Sequence, residues 1–97
     1  GLSARRPETY GLTMVTIAYF AWVRERMGTA EEIVHLPAEV TDLTALLAWL
    51  AARDERGALA FAEPERIRAA IDGVMTGPGA PLDGAREVAL FPPVTGG

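Results

Sequence analysis

Cysteine is absent and histidine occurs once, at His35. These two shortages exclude a disulfide scaffold, a thiol nucleophile and a zinc site built on nitrogen or sulfur ligands. Any sulfur chemistry must therefore use sulfur brought from elsewhere. A single histidine also cannot assemble a catalytic triad by itself. No apolar run approaches the roughly 20 residues that a membrane-crossing helix needs, and no secretory-type segment opens the sequence, so neither a membrane nor export is expected. Basic residues are few, nine against thirteen acidic ones, and they are scattered along the chain. Nucleic acids call for clustered Lys and Arg, which sets that class of partner aside. An acidic domain is better suited to basic protein partners.

What is present is enough for one compact domain. Ninety-seven residues with 49% hydrophobic and 23% charged side chains can close a core without metal or cross-links. Residues 1–13, which include Arg5, Arg6, Pro7 and Gly11, show no apolar period and read as a disordered leader or cloning remnant ahead of a domain opening at Met14. Val15, Ile17 and Tyr19 then alternate with Thr16, Ala18 and Phe20, as the two faces of a strand require. Arg24 to Gly28 reads as a turn, and Glu32 to Leu36 as a second strand that buries Val34 and Leu36 and stops at Pro37. Leu43, Leu46, Leu47 and Leu50 fall at i, i+3, i+4 and i+7, the stripe of a helix packed on a sheet. Thr41 is its expected N-cap, and Gly57 its left-handed terminator beyond Arg53 and Arg56.

Leu59 to Pro64 reads as a short link with Phe61 plugging the core edge. Ile67 to Ile71 resumes strand character, and Asp72-Gly73 has the chemistry of a two-residue hairpin turn leading into Val74-Met75. Thr76 to Gly84, rich in Gly and Pro, is loop. Gly77-Pro78-Gly79 lacks the Gly-Lys-Ser/Thr ending of a phosphate loop. Glu87 to Phe91 forms the last strand, with Val88 and Leu90 inward and Phe91 outward, before Pro92-Pro93 forbids further pairing. The predicted fold class is α+β, a roll with one main helix on a mixed sheet. The carboxylate pairs Glu31-Glu32 and Glu63-Glu65 read as solvated faces. Trp22 and Trp49 read as packing residues.

The segment Pro92 to Gly97 resists a packing explanation. Two prolines stiffen the chain into an extended path, and six residues reach up to ~20 Å at roughly 3.3 Å each. Gly96 and Gly97 carry no side chain to clash in a narrow channel, so the Gly97 carboxylate can be presented for chemistry inside another protein. The plainer account of a terminal Gly-Gly is a frayed end or a cloning scar. Phe20 and Phe91 are outward on strands and are candidates for an apolar docking patch, with Arg24 as a charged rim contact. The plainer account of these three is ordinary surface side chains.

The run Val88-Ala89-Leu90-Phe91-Pro92-Pro93-Val94-Thr95-Gly96-Gly97 resembles the ending of molybdopterin synthase small subunits, a ubiquitin-like β-grasp family. Tyr19-Phe20-Ala21, then Val23-Arg24-Glu25 and Gly28, resembles the opening of the same family. The resemblance spans Met14 to Gly97 and implies a chemistry that composition does not. An E1-like enzyme would use ATP to adenylate the Gly97 carboxylate, which sulfur would convert to a thiocarboxylate. The tail, Pro92, Pro93, Val94, Thr95, Gly96 and Gly97, would enter the large catalytic subunit of the synthase, in a 2:2 heterotetramer. There its sulfur would attack cyclic pyranopterin monophosphate. No cofactor or metal would be bound by this chain, and a cytoplasmic setting is implied. The turn from Asp83 to Glu87 is one residue longer than the family's usual loop, with Arg86 where an acidic residue is expected, and Asp72 stands where the family often has Asn. A thiamine-type sulfur carrier, a ubiquitin-like protein modifier and a non-catalytic binding module remain the alternatives.

Overall fold

A computed structural model describes residues 12–93. Residues 1–11 of the expected leader and Val94 to Gly97 of the expected tail lie outside the described residues. Five strands form one sheet in the order β2-β1-β5-β3-β4, with β1 at Leu12–Tyr19, β2 at Glu31–Pro37, β3 at Arg68–Ile71, β4 at Val74–Thr76 and β5 at Glu87–Phe91. β1 and β5 run parallel, and every other neighbouring pair is antiparallel. The first strand and the last thus lie side by side in the middle of the sheet. β1 begins two residues before Met14: Leu12 pairs with Pro37 and Thr13 with Leu36, so the domain boundary moves forward to include them.

Helix α2, Leu43–Arg53, lays Leu43, Leu46, Leu47 and Leu50 on the sheet. There they meet Val15, Ile17, Tyr19, Val34, Leu36, Val88 and Leu90 in one core. Each fully buried leucine contributes about 1.5–3 kcal/mol relative to exposure. Asp42, not Thr41, is the N-cap, and its carboxylate accepts the Ala45 N–H at 2.8 Å. Aspartate ranks above threonine as an N-cap, and its carboxylate lies beside the positive N-terminal end of the helix.

The far end of α2 also departs from expectation. The helix stops at Arg53, where Asp54 adopts an extended backbone and caps a new helix, α3, at Glu55–Ala60, by accepting the Gly57 N–H at 2.8 Å. Gly57 is therefore inside α3 rather than a left-handed terminator. Its role is close approach, since a Cβ there would stand 1.8 Å from the Leu50 carbonyl oxygen. Phe61, at the end of α3, is buried in the core.

The segment read as a turn after β1 is a helix, α1, at Ala21–Met27, which buries Val23 and Met27. Those two residues are i and i+4 on one face, and Gly28 ends the helix at φ +79° with its N–H bonded to the Arg24 carbonyl. The Asp72-Gly73 turn is as expected, both residues having positive φ, +51° and +84°. Asp72 does a further job, its Oδ1 accepting the N–H groups of Arg86 (3.0 Å) and Glu87 (2.9 Å), which fixes where β5 begins. Among the described residues no helix is long and apolar enough to cross a membrane.

Candidate functional site

The site is the exit of the chain from β5. Because β5 lies between β1 and β3, its last residues are held from both sides. The Phe20 N–H donates to the Leu90 carbonyl at 3.0 Å, and Arg68 stands opposite Phe91 in the β3–β5 register. Pro92 and Pro93 follow, both half-buried and outside any strand. Neither has an N–H to continue the ladder, so the chain leaves the sheet at a defined point and in a stiff direction. Gly96 and Gly97, with Val94 and Thr95, lie beyond the described residues.

Strand alternation gives the sheet two unlike faces. One is covered by α2. The other, toward which Phe20 and Phe91 point, carries Ala18 of β1, Ala89 of β5 and Ala70 of β3 in a single cross-strand row, ending at Met75 of β4. Three small side chains in a row make a shallow floor, and larger apolar ones rise around it. Phe20 is 50% exposed and Met75 63%, while Phe91 is half-buried. Ile33 and Met14, also exposed, extend the apolar surface toward the edge at β2. Exposed apolar side chains grouped in this way have the character expected of a protein-docking surface. Met75 was not singled out from sequence, although the hairpin turn carries the signal: a two-residue Asp72-Gly73 turn pairs Ala70 with Met75, and Ala70 lies on the face opposite the buried Ala69. Arg24 is exposed on α1, four residues from Phe20, the place of a rim side chain.

Phe20 is anchored by the residue before it. The Tyr19 ring is buried in the core, and its hydroxyl donates to Glu32 Oε2 at 2.6 Å. Arg53 clasps the same carboxylate with two bonds, at 2.6 and 3.2 Å, while its guanidinium lies over the Trp49 ring. Burial, reinforced by the bond to Glu32, pushes the Tyr19 hydroxyl far above the ordinary tyrosine range. Partial burial works to raise the Glu32 carboxyl, but the bonds from Arg53 and Tyr19 and the arginine charge outweigh it and hold it below the usual carboxylate value. Glu32 is thus a structural ligand joining β1, β2 and α2, not a solvated side chain. The missed signal was the pairing of Glu32 with Arg53, 21 residues away, which no local pattern reveals.

Among the described residues no group of three or more His, Asp or Glu is placed to hold a metal ion. A groove between α2 and the β3–β4 hairpin is lined by Leu43, Leu47, Ile67, Arg68 and Pro78. Its hydroxyls are spent on backbone oxygens, Thr44 on Pro78 and Thr76 on Ala69. The described residues therefore offer an exposed apolar face and a stiff chain exit.

The ThiS family profile matches residues 17–97, which includes the whole of β5 and the tail. The chain belongs to the ThiS family. It is 38% identical to the molybdopterin synthase sulfur carrier subunit of Escherichia coli over 84 residues, covering 87% of this chain and 100% of that one. Solved structures of similar fold include the Haloferax volcanii HVO 2177 protein (TM-score 0.71, 21% identity, 100% of this chain and 98% of that one). SAMP1 from the same organism matches at TM-score 0.64 and 21% identity, over 88% of this chain and 100% of that one. A putative molybdopterin converting factor subunit 1 from Pyrococcus furiosus gives TM-score 0.64 and 24% identity over 84% and 99%. At such identities these structures bear on the fold alone, and they bear out the ubiquitin-like β-grasp class. Within this ThiS-family chain, Phe20, Met75 and Phe91 share the open face, and Pro92 and Pro93 stand at its margin.

Proposed function

We propose that this ThiS-family chain is the sulfur carrier subunit of a molybdopterin synthase, acting through the Gly97 carboxylate. The observation that carries the reading is the likeness to the E. coli carrier over that protein's full length, joined to a central strand whose end is fixed beside an open apolar face. An E1-like enzyme would bind that face and pass the Gly97 carboxylate onto the α-phosphorus of ATP, with pyrophosphate leaving. The acyl adenylate so formed is a far better electrophile than a carboxylate. Sulfide-level sulfur attacks its carbonyl carbon, AMP departs with the electron pair of the broken carbon–oxygen bond, and loss of the sulfur-bound proton leaves a thiocarboxylate. The large catalytic subunit, in a 2:2 assembly, then receives the tail, and the thiocarboxylate sulfur attacks cyclic pyranopterin monophosphate. Tethering gives that sulfur the positional advantage of an intramolecular reagent. The chain itself contributes reach, docking and an end-group, while ATP is consumed by the activating enzyme and the groups that position the pterin belong to the large subunit.

The test is the intact mass after incubation with an activating enzyme, ATP and a sulfur donor. We expect a gain equal to the exchange of one oxygen for sulfur, localised to the C-terminal peptide, and loss of that gain when the large subunit and the pterin precursor are added. Deleting Gly96-Gly97 should abolish loading while leaving docking and melting temperature unchanged. A sulfur-loaded chain that the large subunit never discharges would move the assignment to a thiamine-type carrier or a protein modifier. A truncated chain that still supports molybdopterin synthesis would sink the carrier reading altogether.

A further inference from the structure

The two edges of the sheet are unequal. β4 is three residues long and runs into Gly77-Pro78. β2 is seven residues long, and among the described residues nothing pairs with its outer side. Its register with β1 is one-to-one from Pro37 to Glu31, without a bulge. It carries no lysine, and Pro37 is its last residue. The bulges, prolines and lysines that blunt natural edge strands are therefore missing from Glu31 to Leu36. In the middle of that stretch stands Ile33, 64% exposed.

The hydrogen bonds of β1 decide which groups this edge presents. The Tyr19 N–H donates to the Ala30 carbonyl at 2.8 Å, while the Thr16 and Phe20 N–H groups turn the other way, to the Arg86 and Leu90 carbonyls. Odd-numbered residues of β1 thus bond to β2, and their register partners Glu32, Val34 and Leu36 turn their backbone groups inward. Glu31, Ile33 and His35 turn theirs outward. In keeping with this, the Glu31 carbonyl accepts the Thr29 hydroxyl at 3.0 Å, which leaves it a second lone pair. The side chains of the same three residues are exposed and share the open face by alternation.

This outward set is self-complementary. A second copy laid antiparallel along β2, with the two-fold axis at Ile33, sets Ile33 opposite Ile33 and, on each side, Glu31 opposite His35. All three pairs are of the hydrogen-bonded kind, so each exchanges two N–H···O bonds. The side chains match too: isoleucine meets isoleucine at the centre, and a carboxylate acceptor faces an imidazole N–H donor on either side. Moving the axis to Glu32 or Val34 keeps only two such pairs and sets Ile33 against Glu31 or His35. We infer that β2 is a self-association edge, on which two copies of this chain pair antiparallel about Ile33 and join their sheets into one. An interface made by one strand edge falls below the ~1,200 Å² of a stable complex. The dimer is accordingly weak and reversible, with a Kd of about 10–100 µM. It is independent of the role of Gly97 and leaves Met75, on the opposite edge strand, uncovered.

The test is sedimentation equilibrium of the full chain at neutral pH, from about 5 µM to about 1 mM, a range that brackets this Kd. We expect a monomer–dimer equilibrium, with amide exchange at Ile33 slowing several-fold at the upper end. Glu31→Lys sets lysine against His35, and His35→Glu sets glutamate against Glu31, so each should weaken the dimer about tenfold. An equimolar mixture of the two variants should regain the native strength, because the new lysine then faces the new glutamate and the native His35 faces the native Glu31. Ile33→Pro removes an N–H that β1 does not use; it should weaken the dimer at least tenfold while circular dichroism stays native. Should that variant fail to fold, the two charge variants decide alone. A native chain that remains monomeric throughout the range overturns the inference. A dimer that neither charge variant weakens overturns it as well, since it would use another surface, and so does a loss that the mixture does not restore.

Discussion

Phe20 and Met75 are the side chains on which the proposed docking role chiefly rests. Both are at least half exposed on the open face, so their removal costs the domain little, while an apolar anchor at the centre of an interface is worth ~2 kcal/mol or more. Phe20→Ser and Met75→Asp should each weaken binding to the large subunit by about thirtyfold with the melting temperature unchanged, as titration calorimetry and thermal melts would show. Gly57 is the opposite case, a residue made for the fold alone. A methyl group there collides with the Leu50 carbonyl at 1.8 Å, and the obstacle is backbone that cannot swing aside. Gly57→Ala should cost ~3 kcal/mol by chemical denaturation, at the upper end of ordinary overpacking. The sequence suggested a special glycine at this position for the wrong reason: Gly after a helical stripe is the usual mark of a left-handed terminator, and a close approach between two helices leaves no local mark.

At the scale of elements, what was legible followed periodicity and turn chemistry. The leucine stripe of α2, the alternation of Val88 and Leu90 in β5 and the Asp72-Gly73 turn each follow from forces acting within a few residues. What was not legible depended on chain remote in sequence. α1 was read as a turn because its apolar face holds only Val23 and Met27, two positions that acquire meaning once β5 is beside them. The docking face was half visible: Phe20 and Phe91 came from alternation, but the alanine floor and Met75 required the β1–β5–β3–β4 register. Asp72 links the two levels, since its backbone turns the β3–β4 hairpin while its Oδ1 collects two N–H groups at the head of β5. Asp72→Ala should therefore cost about 1–2 kcal/mol, more than an exposed turn residue warrants, because two charge-assisted bonds are lost together. Asp72→Asn, which keeps an acceptor oxygen, should recover most of it. Equal destabilisation by the two substitutions in urea melts would show that the bonds to Arg86 and Glu87 are not what holds β5 in place.

At the scale of the molecule, the Tyr19–Glu32–Arg53 cluster couples the strand that leads to the docking face, the edge strand and the main helix, and it makes stability depend on pH in both directions. Glu32 is held below its ordinary value of 4.5 in the folded chain, so the unfolded chain binds a proton there first. The stabilisation from Glu32 is complete above that value and is lost as pH falls through the folded pKa. Tyr19 is raised above its ordinary value of 10.0. Its contribution is complete below that pH and declines above it, because the unfolded chain can release a proton that the folded chain retains. Stability should accordingly form a plateau between these two limits. Glu32→Gln should melt lower on the plateau, by about 1–3 kcal/mol for a charged acceptor lost from a partly buried pair, and its deficit should shrink as pH falls below about 4. Tyr19→Phe should lose about 1 kcal/mol on the plateau and no longer share the native decline above pH 10 that Tyr19 causes. Thermal melts of the three proteins across the pH range read both limbs at once. A Glu32→Gln deficit that stayed constant into acid would mean that the cluster contributes by packing alone, with the carboxylate charge carrying none of the coupling between sheet and helix.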